Sequence, residues 1–141
     1  MDLFTQLFIA LDQTNKTVAK SQLLSEYFEE ASPADAAWAT YFLMGERLKR
    51  LVKTADLKEW ACRVGDLPNW LFAECYDHVG DLAETLALLI FCEDKFRKVD
   101  LKLSLSELIE NYLIPLRVME PEAQSKLISQ LWSKMDFSMT L

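Results

Sequence analysis

Residues 32–44, with the sequence SPADAAWATYFLM, indicate the class of fold that this chain adopts. Ser32 and Pro33 predict a helix start, because a serine hydroxyl can cap free backbone N–H groups and proline suits the first helical position. The residues that follow are apolar almost all round the helix. A helix without a polar face is usually surrounded by other elements. We therefore expect this helix at the buried centre of the fold.

Helical periodicity extends from this stretch toward both ends of the chain. Apolar residues recur at i, i+3 and i+4 intervals, and no segment shows a convincing strand pattern. Ser104 and Glu107 have the spacing of a capping box, and Gly65 is placed to end a helix. Pro115 should kink or end the helix in which it lies. We predict an all-α fold, a single compact multi-helix domain of about eight helices over residues 1–141.

The composition excludes several classes of protein. The 141 residues are 51% hydrophobic and 26% charged, which is ordinary for a globular domain and excludes disorder of the whole chain. The longest apolar run, 86–92, is far shorter than the about 20 residues that a membrane-spanning helix needs. Cys62, Cys75 and Cys92 are an odd number of cysteines at wide spacing. This favours reduced, packing thiols over disulfides or a zinc site.

A catalytic centre cannot be assembled from these residue types. The single histidine, His78, has no acid-base partner that the sequence can name. The Gly-rich loop that cradles a nucleotide phosphate does not occur. Most aromatic residues lie at helical spacing among aliphatic neighbours, so they indicate core packing more than base stacking. We predict no catalytic residue and no metal ligand in this chain.

The charge is distributed unevenly along the sequence. The net charge is -7, yet residues 47–63 hold six bases and two acids. On a continuous helix, Arg47 and Arg50 are three residues apart and Lys49 and Lys53 are four apart, which gives two neighbouring basic rows. Such rows can neutralise backbone phosphates without reading bases. A solvated helix face explains the same pattern equally well. Residues 93–103 are also charged, and we expect a connecting loop there.

A helix junction is predicted at Gly80 and Asp81. A glycine followed at once by a helix start presents free N–H groups and a positive dipole end, which together suit an anion. Glu84 follows Asp81 in capping-box spacing, so these two carboxylates can occupy the same N–H groups themselves. From the residues alone, a structural joint between two helices is favoured, and an anion site is the alternative.

The last predicted helix opens at Pro121 and carries one apolar stripe. The members of the stripe are Ala123, Leu127, Ile128, Leu131, Trp132 and Met135. The chain then closes on FSMTL (137–141), which is apolar and has no polar tail. Such an end is typical of a cut inside a larger protein.

Eight short motifs, taken in order, resemble the N-terminal, all-helical DNA-binding domain of ATP-dependent DNA ligases, most closely the bacterial and archaeal-like branch. They are TNK (14–16), YF (27–28), DAAWATYFLMG (35–45), RLKRL (47–51), LPNWLF (67–72), CY (75–76), VGDLAET (79–85) and LIPL (113–116). VGDLAET is the most specific of them. Together the motifs span about residues 3–135.

The resemblance covers one domain of such a ligase. The Lys-x-Asp-Gly motif, whose lysine takes AMP from ATP in this family, does not occur in the sequence. The adenylation domain, the oligonucleotide-binding domain and a glycine- and arginine-containing segment that faces the minor groove have no counterpart either. We therefore expect an N-terminal fragment, itself without cofactors, of a parent enzyme that uses ATP and Mg²⁺.

The resemblance implies that the chain grips nicked double-stranded DNA, weakly and without reading sequence, while the remaining ligase domains in cis seal the nick in DNA repair, replication or recombination. It also implies a cytoplasmic, nucleoid-associated bacterial protein with no membrane partner. From their positions in the sequence, the resemblance also implies two groups of residues that contact DNA. Phosphate contacts are expected from Lys16, Arg47, Lys49, Arg50 and Lys53, and a helix-start contact or support from Gly80 and Asp81.

A second hypothesis comes from a different class of function. The chain would be a helical protein–protein interaction module without a DNA role, and an apolar patch such as residues 137–139 would receive the partner. A contiguous positive face that includes residues 47–53 would favour DNA, whereas scattered bases would favour the interaction module.

Overall fold

The structure, a computed structural model, describes residues 2–91 and 101–135, which form helices joined by short connections. The α-helices are α1 (Asp2–Gln13), α2 (Thr17–Glu30), α3 (Pro33–Leu43), α4 (Thr54–Val64), α5 (Asn69–Val79), α6 (Leu82–Ile90), α7 (Leu105–Leu108) and α8 (Pro121–Lys134). The described residues hold eight α-helices and no strand, which confirms the predicted fold class. Cys92, most of the expected loop at 93–103 and the end at 137–141 lie outside the described residues.

Local capping chemistry sets several of these helix starts. The Ser32 hydroxyl accepts a hydrogen bond from the Asp35 N–H at 3.3 Å, and Pro33 occupies the first turn of α3. At α7 the capping box is complete. The Ser104 hydroxyl accepts from the Glu107 N–H at 3.2 Å, and the Glu107 carboxylate accepts from the Ser104 N–H at 2.8 Å. Both helix starts were predictable, since capping needs residues that are neighbours in sequence.

The helices divide into two compact units. Among the described residues, unit 1 holds residues 2–49 and 102–114, and unit 2 holds residues 50–91, 101 and 115–135. In unit 1, α1 packs against α2 and α3 packs against α7. The buried residues of its core are Leu7, Tyr27, Ala39, Leu105 and Ile109.

A hydrogen bond over a long sequence separation stabilises unit 1. The Asp35 carboxylate, in the first turn of α3, accepts the Ser106 N–H of α7 at 2.8 Å. Burial alone would raise the pKa of Asp35, but hydrogen bonds from the Ser106 side chain and backbone and the Leu105 backbone hold that pKa below its ordinary value. Asp35 therefore caps α7 from a different helix, in addition to the helix's own capping box.

In unit 2, α4 contacts α5, α6 and α8. Its C-terminus lies close to α6, because a Cβ atom on Gly65 would come within 3.2 Å of the Leu89 carbonyl oxygen. Gly65 itself has an ordinary φ of -82°, and the left-handed residue that ends α4 is Asp66, with a φ of 50°. Gly65 was correctly placed at a helix end, but its lack of a side chain serves close packing.

The expectation that α3 is buried on all sides is wrong. Among the residues of this helix only Ala39 is buried, and Leu43 and the C-cap residue Met44 are 38% and 75% exposed. Among the described residues of unit 1 the other α-helices are α1, α2 and α7, and part of the apolar surface of α3 and its C-cap is exposed to solvent.

The helix that contains Pro115 changes its geometry, as predicted. A π-helical turn (Ile109–Leu113) follows α7, with the Ile114 N–H donating to the Ile109 carbonyl, and a 3-10 helix (Ile114–Val118) comes next. Pro115 has no N–H, and its ring excludes the carbonyl four residues earlier, so regular α-helix cannot continue through this point.

Candidate nucleic-acid interface

The basic segment 45–53, which contains four of the predicted phosphate contacts, is not helical. The helix that precedes it ends in a Schellman motif at Gly45, whose φ is +84°. The Gly45 N–H donates to the Phe42 carbonyl at 3.0 Å, and the Glu46 N–H donates to the Tyr41 carbonyl at 3.2 Å. The predicted pair of helical rows is therefore wrong, because a left-handed glycine at this position stops the helix before the basic residues begin.

Arg47 and Lys49 belong to unit 1 and are both exposed. Leu48, between them, packs against the core of this unit. The Tyr41 hydroxyl donates to the Arg47 carbonyl at 3.1 Å and so holds the backbone at the start of the segment. The two cationic residues are thus exposed on either side of a leucine that packs against the core.

Arg50 and Lys53 belong to unit 2 and are also exposed. The Arg50 guanidinium donates to the Thr54 hydroxyl at 3.1 Å. Between them, the Leu51 carbonyl accepts a long hydrogen bond of 3.4 Å from the Gln124 amide. That amide also donates to the Leu116 carbonyl at 2.7 Å, so one buried side chain of α8 holds this part of the segment.

The sequence pattern did not identify Gln124 as an important residue. The predicted stripe of α8 included Ala123, but Ala123 is exposed and Gln124 is 7% exposed. Of the other members of the stripe, Ile128, Leu131, Trp132 and Met135 are buried as predicted and Leu127 is half-buried. A glutamine next to an apolar stripe was the available signal, but of the two carbonyls that it satisfies, that of Leu116 lies eight residues earlier across a helix start and that of Leu51 is 73 residues away.

Two of the predicted contact residues, Lys16 and Lys53, occupy the same structural position. Each is the N-cap residue of a helix, α2 and α4 respectively, and neither side chain makes a capping hydrogen bond. The first N–H groups of these helices therefore have no side-chain cap, and a cation lies beside the positive end of each dipole. An anion is the natural ligand of such a helix start.

The junction at Gly80 and Asp81 differs from those two helix starts. Gly80 has a φ of 79°, and its N–H donates to the Tyr76 carbonyl at 2.8 Å. The Asp81 carboxylate then accepts the Glu84 N–H at 2.9 Å and caps α6. A carboxylate already occupies this helix start, so the geometry matches the structural joint that the residues favoured.

None of the five predicted basic contacts takes part in an ion pair between described residues. The salt bridges found there join Arg63 to Glu59 and Lys126 to Glu122, and all four of these side chains are largely exposed. Lys16, Arg47, Lys49, Arg50 and Lys53 therefore make no direct ion pair with a described carboxylate, although Asp56 lies in the first turn of α4, three residues after Lys53.

The described residues contain few side chains that could serve in catalysis or bind a metal ion. No group of three His, Cys, Asp or Glu side chains is placed to hold a metal ion in this part of the chain. Cys62 is buried and burial raises its thiol pKa, which suits a packing role, while Cys75 is half-buried. His78 is exposed. No helix among residues 2–91 and 101–135 is long and apolar enough to cross a membrane.

Comparison with known proteins gives one family. No curated protein matches the chain. A family model described as DNA ligase N terminus matches residues 1–140 of the 141-residue sequence. This match identifies the same family as the ordered motifs from TNK to LIPL, and the all-helical fold agrees with that family. The chain therefore belongs to the DNA ligase N-terminus family.

Proposed function

We propose that this chain is the DNA-binding, non-catalytic part of an ATP-dependent DNA ligase, and that it grips nicked duplex DNA by its sugar–phosphate backbone. The observation that carries the proposal is the exposure of the five predicted basic contacts and their lack of ion pairs with described residues. All five are exposed and free of ion pairs with described residues, and two of them stand at helix starts without a side-chain cap.

The electrostatics of those helix starts support a phosphate ligand. A lysine beside a helix N-terminus is repelled by the dipole, which costs about 0.3–1 kcal/mol at an exposed site. A phosphate bound between the lysine and the first N–H groups interacts favourably with both. Lys16 and Lys53 would therefore contribute a charge and a set of backbone donors at once.

Such contacts suit a protein that must act at any nick. Lysine, arginine and backbone N–H groups bind phosphates and carry no sequence information. In this proposal the other ligase domains, joined in cis, supply the chemistry with ATP and Mg²⁺. The parent enzyme would work in the bacterial cytoplasm on DNA repair, replication or recombination.

The net charge of -7 opposes DNA binding and limits its strength. With about three or four phosphates engaged, the slope of log affinity against log salt should be about -3. We expect a Kd in the micromolar range or weaker at low salt, as is typical of non-specific contacts. Binding should be indifferent to the sequence of the duplex.

Fluorescence anisotropy with a nicked oligonucleotide tests the proposal. Arg47→Glu/Arg50→Glu should abolish binding, and Lys16→Glu should weaken it, while circular dichroism shows an intact fold. Lys102→Glu/Lys134→Glu is the matched control, because both lysines are exposed and lie outside the proposed contacts. It changes the net charge by the same amount and should weaken binding much less.

Two results would contradict the proposal. Equal loss of affinity in both double variants would show that only net charge matters. Unchanged binding in Arg47→Glu/Arg50→Glu would mean that the basic segment is merely solvated, and the protein–protein interaction module would then become the better hypothesis.

A further inference from the structure

The charges of α2 oppose its helix dipole at both ends. Its N-terminus carries Lys16, and no basic residue occurs in its last turn, where Glu29 and Glu30 follow Glu26 by three and four residues. Carboxylates near a helix C-terminus are destabilising by about 0.3–1 kcal/mol each when exposed. No basic residue in the last turn and no ion pair between described residues offsets these charges, whereas a cationic partner at the C-terminal end would.

The acidic end of α2 borders an apolar groove between α1 and α2. The groove has a volume of about 300 Å³. Its floor includes Leu7 and Tyr27, both buried, and its polar lining is formed by the exposed side chains Gln6, Glu26 and Glu30. No described basic residue forms a salt bridge with either glutamate, and Glu26 accepts only a hydrogen bond from Gln22 at 3.0 Å.

We infer that this groove is a docking site for a basic amphipathic helix of a partner protein. One or two apolar side chains of the partner would enter the groove above Leu7 and Tyr27. Glu26 and Glu30 are one helical turn apart, about 6 Å along the axis, so they match lysines or arginines at positions i and i+4 of the partner helix. The same carboxylates repel nucleic acid and anionic lipid, which excludes both as occupants.

The site is separate from the proposed DNA contacts. Lys16 precedes α2 and Glu30 ends it, which places them about 20 Å apart along a 14-residue helix. A partner could therefore bind at the acidic end while the basic end remains open to phosphate. The inference does not depend on DNA binding, and each can fail without the other.

A labelled synthetic helical peptide of about 18 residues, with a leucine stripe flanked by lysines, is a suitable probe. We expect the whole 141-residue chain to bind it, and Glu26→Lys/Glu30→Lys to weaken binding about tenfold or more. The same variant should keep or raise thermal stability, because lysines favour a helix C-terminus. Loss of affinity with retained stability cannot come from unfolding.

Glu29→Lys/Glu46→Lys is the matched control, since these glutamates are exposed in unit 1 and do not line the groove. It should change peptide affinity less than about threefold, and a scrambled peptide of the same composition should bind weakly. The inference is overturned if the control double variant loses as much affinity as Glu26→Lys/Glu30→Lys. It is equally overturned if the scrambled peptide binds as well, or if the chain binds neither peptide.

Discussion

At the residue scale, single side chains control where backbone conformations change. Gly45 and Gly80 supply the positive φ angles that end α3 and α5, and Asp66 does so for α4. Positive φ is inexpensive for glycine and unfavourable for a residue with a Cβ atom, although aspartate tolerates it better than most. Asp66 also places a negative charge at a helix C-terminus, where the dipole disfavours it.

We therefore predict that Asp66→Gly stabilises the protein by about 1 kcal/mol, through relief of backbone strain and removal of the charge. Asp66→Asn removes only the charge, so it should give a smaller gain. Gly80→Val is the opposite kind of substitution, because it places a side chain at a residue whose φ is also positive. It should lower the free energy of unfolding by about 1–3 kcal/mol. Urea denaturation measures all three, and a loss of stability in Asp66→Gly would contradict the argument.

A second prediction concerns Gln124, whose amide donates to the carbonyls of Leu116 and Leu51. Gln124→Leu leaves a buried carbonyl without its donor and should destabilise the protein by about 1–3 kcal/mol. Gln130→Leu on the exposed face of α8 is the matched control and should change the free energy of unfolding by less than about 0.5 kcal/mol. Equal effects of the two substitutions would show that the hydrogen bonds contribute nothing.

At the element scale, helix starts differ in what satisfies their N–H groups. Serine or aspartate caps α3, α6 and α7, whereas lysine occupies the N-cap positions of α2 and α4 without capping them. The capped helices gain local stability, typically about 1 kcal/mol for each cap. The starts of α2, α4, α5 and α8 lack this contribution, and two of these four, α2 and α4, carry predicted phosphate contacts.

The cap that Asp35 provides to α7 should make stability depend on pH. The pKa of Asp35 is lowered in the folded protein, so its contribution is present above the ordinary carboxyl pKa of about 3.9 and is lost as pH falls through the folded value. Asp35→Asn should reduce stability at pH 7 by about 0.5–1 kcal/mol, a modest value because the group is partly exposed.

The same variant should also flatten the fall in stability below about pH 4, since it has no carboxyl group to protonate at this position. Thermal unfolding at a series of pH values measures both effects. A parallel decline in the two proteins below pH 4 would show that other carboxyl groups cause the acid sensitivity.

At the scale of the whole molecule, the chain combines an acidic total charge with basic residues at selected positions. A net charge of -7 would be unusual for a protein that binds DNA through its entire surface. In the proposed function, the exposed cations in segment 45–53 and at the start of α2 would limit DNA binding to a few phosphates. Low affinity for isolated DNA is the expected consequence, and tethering to other ligase domains would raise the effective concentration.

We also predict that the 141-residue chain forms no covalent AMP adduct, because Lys-x-Asp-Gly does not occur in it. Incubation with labelled ATP and Mg²⁺, followed by denaturing electrophoresis, should leave the protein unlabelled. A full-length ATP-dependent ligase is the positive control. A stable lysine adduct would mean that the chain carries a nucleophile that its sequence does not reveal.

The sequence by itself determined the features that depend on near neighbours. Helical periodicity, the caps at Ser32 and Ser104 and the helix junction at Gly80 and Asp81 all rest on residues within about one turn, so they could be predicted correctly. The family was also recognisable, because its short motifs keep their order along the chain. The candidate basic residues were identified, and their role as phosphate contacts stays a prediction.

Only the tertiary structure decided the features that join distant parts of the chain. The bond from Ser106 to Asp35, the carbonyls that Gln124 satisfies and the exposure of Met44 depend on what packs nearby. The apolar groove between α1 and α2, with Glu26 and Glu30 in its lining, likewise exists only because these two helices pack side by side. Local sequence patterns determine where the helices form. Burial depends on contacts between residues far apart in sequence, so it cannot be predicted from neighbouring residues alone.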